Sequence, residues 1–242
     1  MPIDLAVGDL VKQLRRAGTR PSERLAQNIL RAGPAAVGPL LALAIDTDLL
    51  EEEAPECYAP LHALRLLGEL RPLEMIQPLL REFPLDSPFP DDELIRLWQI
   101  EVPQMIGRIG AAAVEPLWAI ADDESWSIEA RGVALEALSY ITLVDPSLYD
   151  TIVAGLRERL ASEGDKSFNG YVVAALANLG VPEVYKDVMA LYREGRIDQE
   201  VIPAGAARQL LLTKSDQRLA CVQHPLWERY DHHGPIEQAR EA

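Results

Sequence analysis

The chain has 242 residues, 48% of them apolar and 6% aromatic, with a formal net charge of -15 at neutral pH. The apolar share supplies a core and excludes disorder of the whole chain. The acidic balance excludes a nucleic-acid partner, because phosphate recognition needs clustered Lys and Arg to displace counterions. With no run of eighteen apolar residues, and with Met1-Pro2-Ile3-Asp4 lacking a basic leader, no membrane span is predicted and a cytoplasmic protein is expected.

The first predicted helix covers about residues 3–17, with Val7, Leu10, Val11 and Leu14 on one face, and Gly18 ends it. Pro21-Ser22-Glu23 opens a second helix to about residue 32, and Gly33-Pro34 breaks the chain before a third that runs to residue 44. These two form a first pair. The second pair takes residues 56–70 and 73–83, the third 92–109 and 112–121, the fourth 127–141 and 146–160, and the fifth 168–179 and 184–192. A last helix at about 199–212 has no partner of its own. The expected organisation is therefore 1–212 as about five helix pairs behind an N-terminal capping helix, then a partly irregular C-terminal arm at 213–242. In that arm Trp227 is expected to seal the end of the stack.

Ala35-Ala36-Val37-Gly38-Pro39-Leu40 returns as Ala112-Ala113-Val114-Glu115-Pro116-Leu117, with Met75-Ile76-Gln77-Pro78-Leu79 between them. The interval is two periods of about thirty-nine residues, the mark of stacked helix pairs that cannot bury their apolar faces alone. First helices share a second motif, in which Ala63-Leu64-Arg65-Leu66-Leu67-Gly68 aligns with Val102-Pro103-Gln104-Met105-Ile106-Gly107. Ala137-Leu138-Ser139-Tyr140-Ile141 and Ala175-Leu176-Ala177-Asn178-Leu179-Gly180 follow in the same register. Pro60 and Pro103 lie inside predicted first helices, where kinks are expected.

These motifs, with the stretch from Asp122 to Leu138, resemble the HEAT-like repeat of the phycobilisome-lyase type over about residues 21–212. The resemblance implies an all-α fold, an α-solenoid in which antiparallel helix pairs stack into a right-handed superhelix. It implies little about activity, since the repeat serves scaffolds, transport receptors, lyases and DNA repair enzymes. The repeat's inter-unit Asp and first-helix Arg are clear only at Asp123 and Arg131; Cys57 stands where the second unit would carry Arg.

The charge is unevenly placed. Residues 12–31 hold six basic side chains against one acid, whereas residues 33–130 hold nineteen acids against five arginines. Three acidic segments, Asp46 to Glu53, Asp86 with Asp91-Asp92-Glu93, and Asp122-Asp123-Glu124, occupy the loops between successive units, so stacking would align them as one acidic edge. The candidate partner-binding residues are accordingly Asp46, Asp48, Glu51, Glu52, Asp91, Asp92, Asp122, Asp123 and Glu124, together with Trp126 as an aromatic contact. The competing reading is helix capping. Trp118, in register with Leu41 and Leu80, is expected in the core. The basic segment is read as the solvated face of a terminal repeat, with head-to-tail self-association as the alternative.

Catalysis finds no motif: no Gly-rich phosphate loop, nucleophile elbow or His-Glu-x-x-His is present. Counting from Asp46, the calcium-loop pattern fails at Cys57. Cys221, His224, His232 and His233 match no common zinc spacing. No cofactor, metal or catalytic residue is predicted. The expected function is non-catalytic recognition of a protein or peptide with a basic surface, on a concave face lined by second helices. The alternative is a HEAT-like enzyme such as a bilin lyase-type chaperone or a divergent DNA glycosylase.

Overall fold

A computed structural model describes residues 2–85, 87–89, 92–161, 165–213 and 219–235. The described residues are helical and joined by turns, with no strand among them. They form two compact units, residues 1–106 with the segment from His224 onward, and residues 107–223. None of the described helices is long and apolar enough to cross a membrane.

In the first unit the α-helices are α1 (Pro2–Lys12), α2 (Glu23–Arg31), α3 (Pro34–Ala44), α4 (Ala59–Leu70), α5 (Ile76–Arg81) and α6 (Glu93–Gly107). Local chemistry sets their ends. Ser22 Oγ accepts from the Leu25 amide at 3.3 Å, Pro34 opens α3, and Asp92 Oδ1 accepts from Leu94 N at 2.8 Å. The predicted helix at 56–70 is divided: a 3-10 turn at Glu56–Tyr58 precedes α4, which places Pro60 in a first turn that needs no amide hydrogen. Pro103 does lie inside α6. Pro78 is the third residue of α5, whereas Pro39 is the sixth of α3, because that helix starts at Pro34.

Helix α4 is central to the first unit, with every residue from Ala59 to Gly68 buried. Helix α3 packs along it, α1 packs on α3, and Leu40, Leu61, Leu64 and Leu67 fill the space between. Gly68 lets α6 come close: a Cβ there would lie 2.2 Å from Met105 Sδ.

The second unit holds α7 (Val114–Asp122), α8 (Ile128–Val144), α9 (Tyr149–Ala161), α10 (Lys166–Leu179), α11 (Tyr185–Arg193) and α12 (Ala204–Leu211). Helix α8 packs on α7 and α10, α10 on α9 and α12, and α11 on α12. The core holds Leu117, Leu135, Leu138, Ile141, Leu156, Val172, Leu176 and Val188. In the second unit a Cβ on Gly107 would meet Tyr140 Cβ at 2.5 Å and the Ala137 carbonyl oxygen at 3.2 Å.

Among the described residues 219–235 the chain is mostly helical. A 3-10 turn at Ala220–Gln223 packs on α8, where Gln223 Nε2 donates to the Leu143 carbonyl at 2.8 Å and Arg108 Nη1 to the Val222 carbonyl at 3.2 Å. The following helix, α13 (Leu226–His233), belongs to the first unit and packs on α4.

Candidate functional site

The acidic loop residues divide between the units. In the first, Asp46 receives Arg15 Nη2 at 2.9 Å, Glu51 receives Ser87 Oγ at 2.6 Å, and Asp92 caps α6. Asp48 and Glu52 lie on the surface. Asp91 and its neighbour in the same loop series, Asp86, fall outside the described residues. In the second unit Asp122 takes both Nε and Nη2 of Arg159, the former at 2.7 Å. Asp123 Oδ1 accepts from the Ser125 amide at 2.9 Å, and that bond holds its carboxyl below the usual range. Glu124 is exposed and Trp126 half-buried. Several of these carboxylates thus serve local turns and helix starts as well as surface charge. Arg15 also reaches Glu56 at 3.7 Å, so this part of the basic segment is answered by acids of its own unit. Lys12, Arg15, Arg16, Asp9 and Glu56 line an open groove of about 510 Å³.

One tryptophan differs from its sequence reading. Trp118 is half-buried at the unit's surface and not in its core: its ring lies under the Arg159 guanidinium, with Cζ 3.8 Å from the ring centroid, and against Gly155 of α9. The second-helix register that aligned it with Leu41 and Leu80 gives its turn of the helix but not what covers it. Trp227, expected to seal the stack, is half-buried beside Tyr230 with Arg20 over its ring, while Arg229 and Tyr230 of the same helix are buried. Trp98 is fully buried, donates from Nε1 to the Ala44 carbonyl at 3.0 Å and stacks on Phe83.

Among the described residues the densest polar cluster lies where α13 meets α4 and α6; Arg65 and Gln104 fall inside the aligned first-helix motif, and the other members lie outside it. Helix α4 contributes His62 and Arg65, two turns of α6 contribute Glu101 and Gln104, and α13 contributes Arg229 and Tyr230. All six are buried. Arg65 Nε and Nη2 bind the Glu101 carboxylate at 2.5–3.1 Å, its Nη1 donates to the Gly234 carbonyl at 2.6 Å, and its Cζ lies 4.4 Å from the Tyr230 ring centroid. Arg229 Nη1 donates to Gln104 Oε1 at 2.9 Å and lies 4.0 Å from Glu101 Oε2. One buried carboxylate therefore faces two guanidiniums, one from the body and one from the C-terminal helix.

Electrostatics follow the geometry. Burial opposes the Arg65 charge, but the hydrogen bonds and charge of Glu101 outweigh it and raise its pKa. Burial lowers His62 to about 4, with the Arg65 charge acting in the same direction, so the ring is neutral. Its Nε2 is 2.8 Å from the Gly18 carbonyl, which can only accept. That contact assigns the proton to Nε2 and leaves Nδ1 to accept from Tyr230 Oη at 2.8 Å. At the rim Arg20 pairs with Asp231 at 2.5 Å. His224 Nδ1 and His233 Nε2 approach to 3.1 Å. Among the described residues no group of three or more His, Cys, Asp or Glu is placed to hold a metal ion.

The second unit has a smaller polar cluster on α8 and α10. Glu136 is half-buried, and desolvation raises its carboxyl to about 7, which a hydrogen bond from Tyr140 at 3.5 Å only partly offsets. Tyr171 on α10 is raised by burial and by Glu129, Asp198 and Glu136. Such a carboxyl exchanges its proton near neutrality. A separate groove of about 510 Å³ runs between α9 and α11 over Leu160, Ala190 and Leu191, rimmed by charges of both signs. No family model, curated protein or solved structure matches this chain.

A signal for the first-unit cluster does exist in the sequence. Arg65 interrupts the run Ala63-Leu64-Arg65-Leu66-Leu67, and a charge inside an apolar run on a central helix needs a buried partner. By the repeat register His62, Glu101 and Glu136 are equivalent positions. What the register omits is the partner from α13, whose Arg229 lies 125 positions beyond Gln104.

Proposed function

We propose that the chain is a non-catalytic scaffold that recognises a protein or peptide with a basic surface, and that its helix pairs are the repeats of a HEAT-like α-solenoid. The repeat reading draws support from Gly68 and Gly107, equivalent motif residues that are each closely approached by a residue further along the chain, Met105 and Tyr140. A 3-10 turn preceding the second helix also recurs, at Leu73–Met75, Gly110–Ala113, Pro146–Leu148 and Pro182–Val184.

The observation that carries the recognition reading is the seating of α13. A face of the first unit holds a helical segment by giving its arginine a buried amide and a nearby buried carboxylate. The acidic excess and the surface carboxylates Asp48, Glu52 and Glu124 add a field that favours basic partners. A labelled full-length chain probed against an array of synthetic peptides graded in Lys and Arg content tests this. Retention should rise with peptide charge and fall as salt is added. If no peptide is retained in a salt-dependent way, the proposal fails.

A further inference from the structure

The contact between α13 and the first unit has the composition of a recognition site more than that of a core. A helix of eight residues is too short to be stable alone, so its helicity is conferred by the surface it lies on. That surface meets it with His62, Arg65, Glu101 and Gln104, four polar side chains on helices whose other inward positions are apolar. Buried ion pairs are weak contributors to net stability, because desolvation offsets most of the Coulombic gain, yet they discriminate sharply against a wrong occupant. A segment needed only to close the core would be fastened better by leucines.

The groups α13 presents are also ordered as a motif. Arg229 is read by Gln104 and Glu101, Tyr230 by the His62 imidazole and the Arg65 guanidinium, and Trp227, one turn earlier on the Tyr230 side, by Arg20. With α13 lifted away, His62 Nδ1 and Gln104 Oε1 lose the hydrogen bonds it makes to them, and Arg65 loses the Gly234 carbonyl. A groove left in that state calls for a replacement with the same donors.

We propose that the groove formed by His62, Arg65, Glu101 and Gln104 is a recognition site for a helical segment of a protein partner that carries adjacent arginine and tyrosine with an aromatic residue one turn earlier, and that α13 is its resident, displaceable occupant. This rests on the scaffold reading above and names the site and the partner chemistry. Because α13 is tethered, a partner competes against a local concentration on the order of millimolar. The free site is therefore masked until a partner binds tightly or α13 is weakened.

The test uses the full chain and a fluorescein-labelled peptide of residues 224–235, the resident occupant supplied in trans. In the wild-type chain the tethered helix should keep binding weak. In a chain carrying Arg229→Ala with Tyr230→Ala, binding should tighten by about tenfold or more. A peptide with its own arginine replaced by alanine should lose that gain without any change to the protein, and Glu101→Gln in the opened chain should abolish it. The proposal is overturned if the opened chain keeps its helical circular dichroism and binds the peptide no better than wild type. It is equally overturned if the opened chain loses its helical signal, because α13 is then an integral part of the core. Salt-dependent retention of basic peptides that ignores both Glu101 and the peptide's arginine would leave the scaffold reading standing and remove only this one.

Discussion

Removal of the Glu101 carboxylate is the most informative single perturbation of the first unit. The residue is 1% exposed and binds an arginine that is fully buried. Glu101→Ala leaves Arg65 Nε and Nη2 without their carboxylate, with the Gly234 carbonyl and the Tyr230 hydroxyl still in contact with this guanidinium, and places Arg229 near an uncompensated positive charge. Breaking one side of a buried pair costs about 3–5 kcal/mol, whereas replacing both partners by apolar groups of similar volume is often neutral. At about 2–4 °C per kcal/mol for a chain of this size, Glu101→Ala should lower the melting temperature by on the order of 10 °C. The double variant Arg65→Met with Glu101→Leu should recover most of that loss. Urea and thermal denaturation followed by circular dichroism at neutral pH measures both. If Glu101→Ala costs less than about 1 kcal/mol, or the double variant is as unstable as the single one, the charges are not held in a dry site and the reasoning is wrong.

Three other outcomes are expected. His62 titrates near 4 folded and near 6.5 unfolded, so the stability it permits is intact above pH 6.5 and is lost as pH falls toward 4, by about 3 kcal/mol in all. His62→Gln should flatten that slope in urea titrations run at stepped pH, and an unchanged slope would mean the ring is not buried neutral. Glu136 has the opposite sign: with its folded pKa raised to about 7, its effect is absent below about pH 4.5 and costs stability as pH rises through 7. Glu136→Gln should stabilise the chain at pH 8 by about 2 kcal/mol, the full shift being discounted for partial exposure. Gly107→Ala should destabilise by about 1–3 kcal/mol or more, since neither the Tyr140 Cβ nor the Ala137 carbonyl can rotate away, and a melting curve unchanged from wild type would refute the close approach.

The helices were legible because their signals are local. Apolar spacing, Ser22 and Ser127 as caps, and Gly18 and Gly180 at helix ends all act within a turn or two of the residue concerned. Errors entered where a residue's meaning depended on what lay across from it. Trp118 has the spacing of a core residue, yet it is covered by Arg159 of α9 and keeps part of its surface.

The sequence by itself determined that the described residues are helical, because helix propensity, caps and amphipathic spacing are properties of neighbouring residues. Only the tertiary structure decided that Tyr230 would meet His62 across 168 positions and that Glu101 would stand between two arginines. Such pairings depend on shape and charge complementarity between distant surfaces, which no local period records. The loop acids were visible in the sequence because they recur with each pair. The groove under α13 was not, because its floor and its occupant are separated by 125 to 168 positions of sequence.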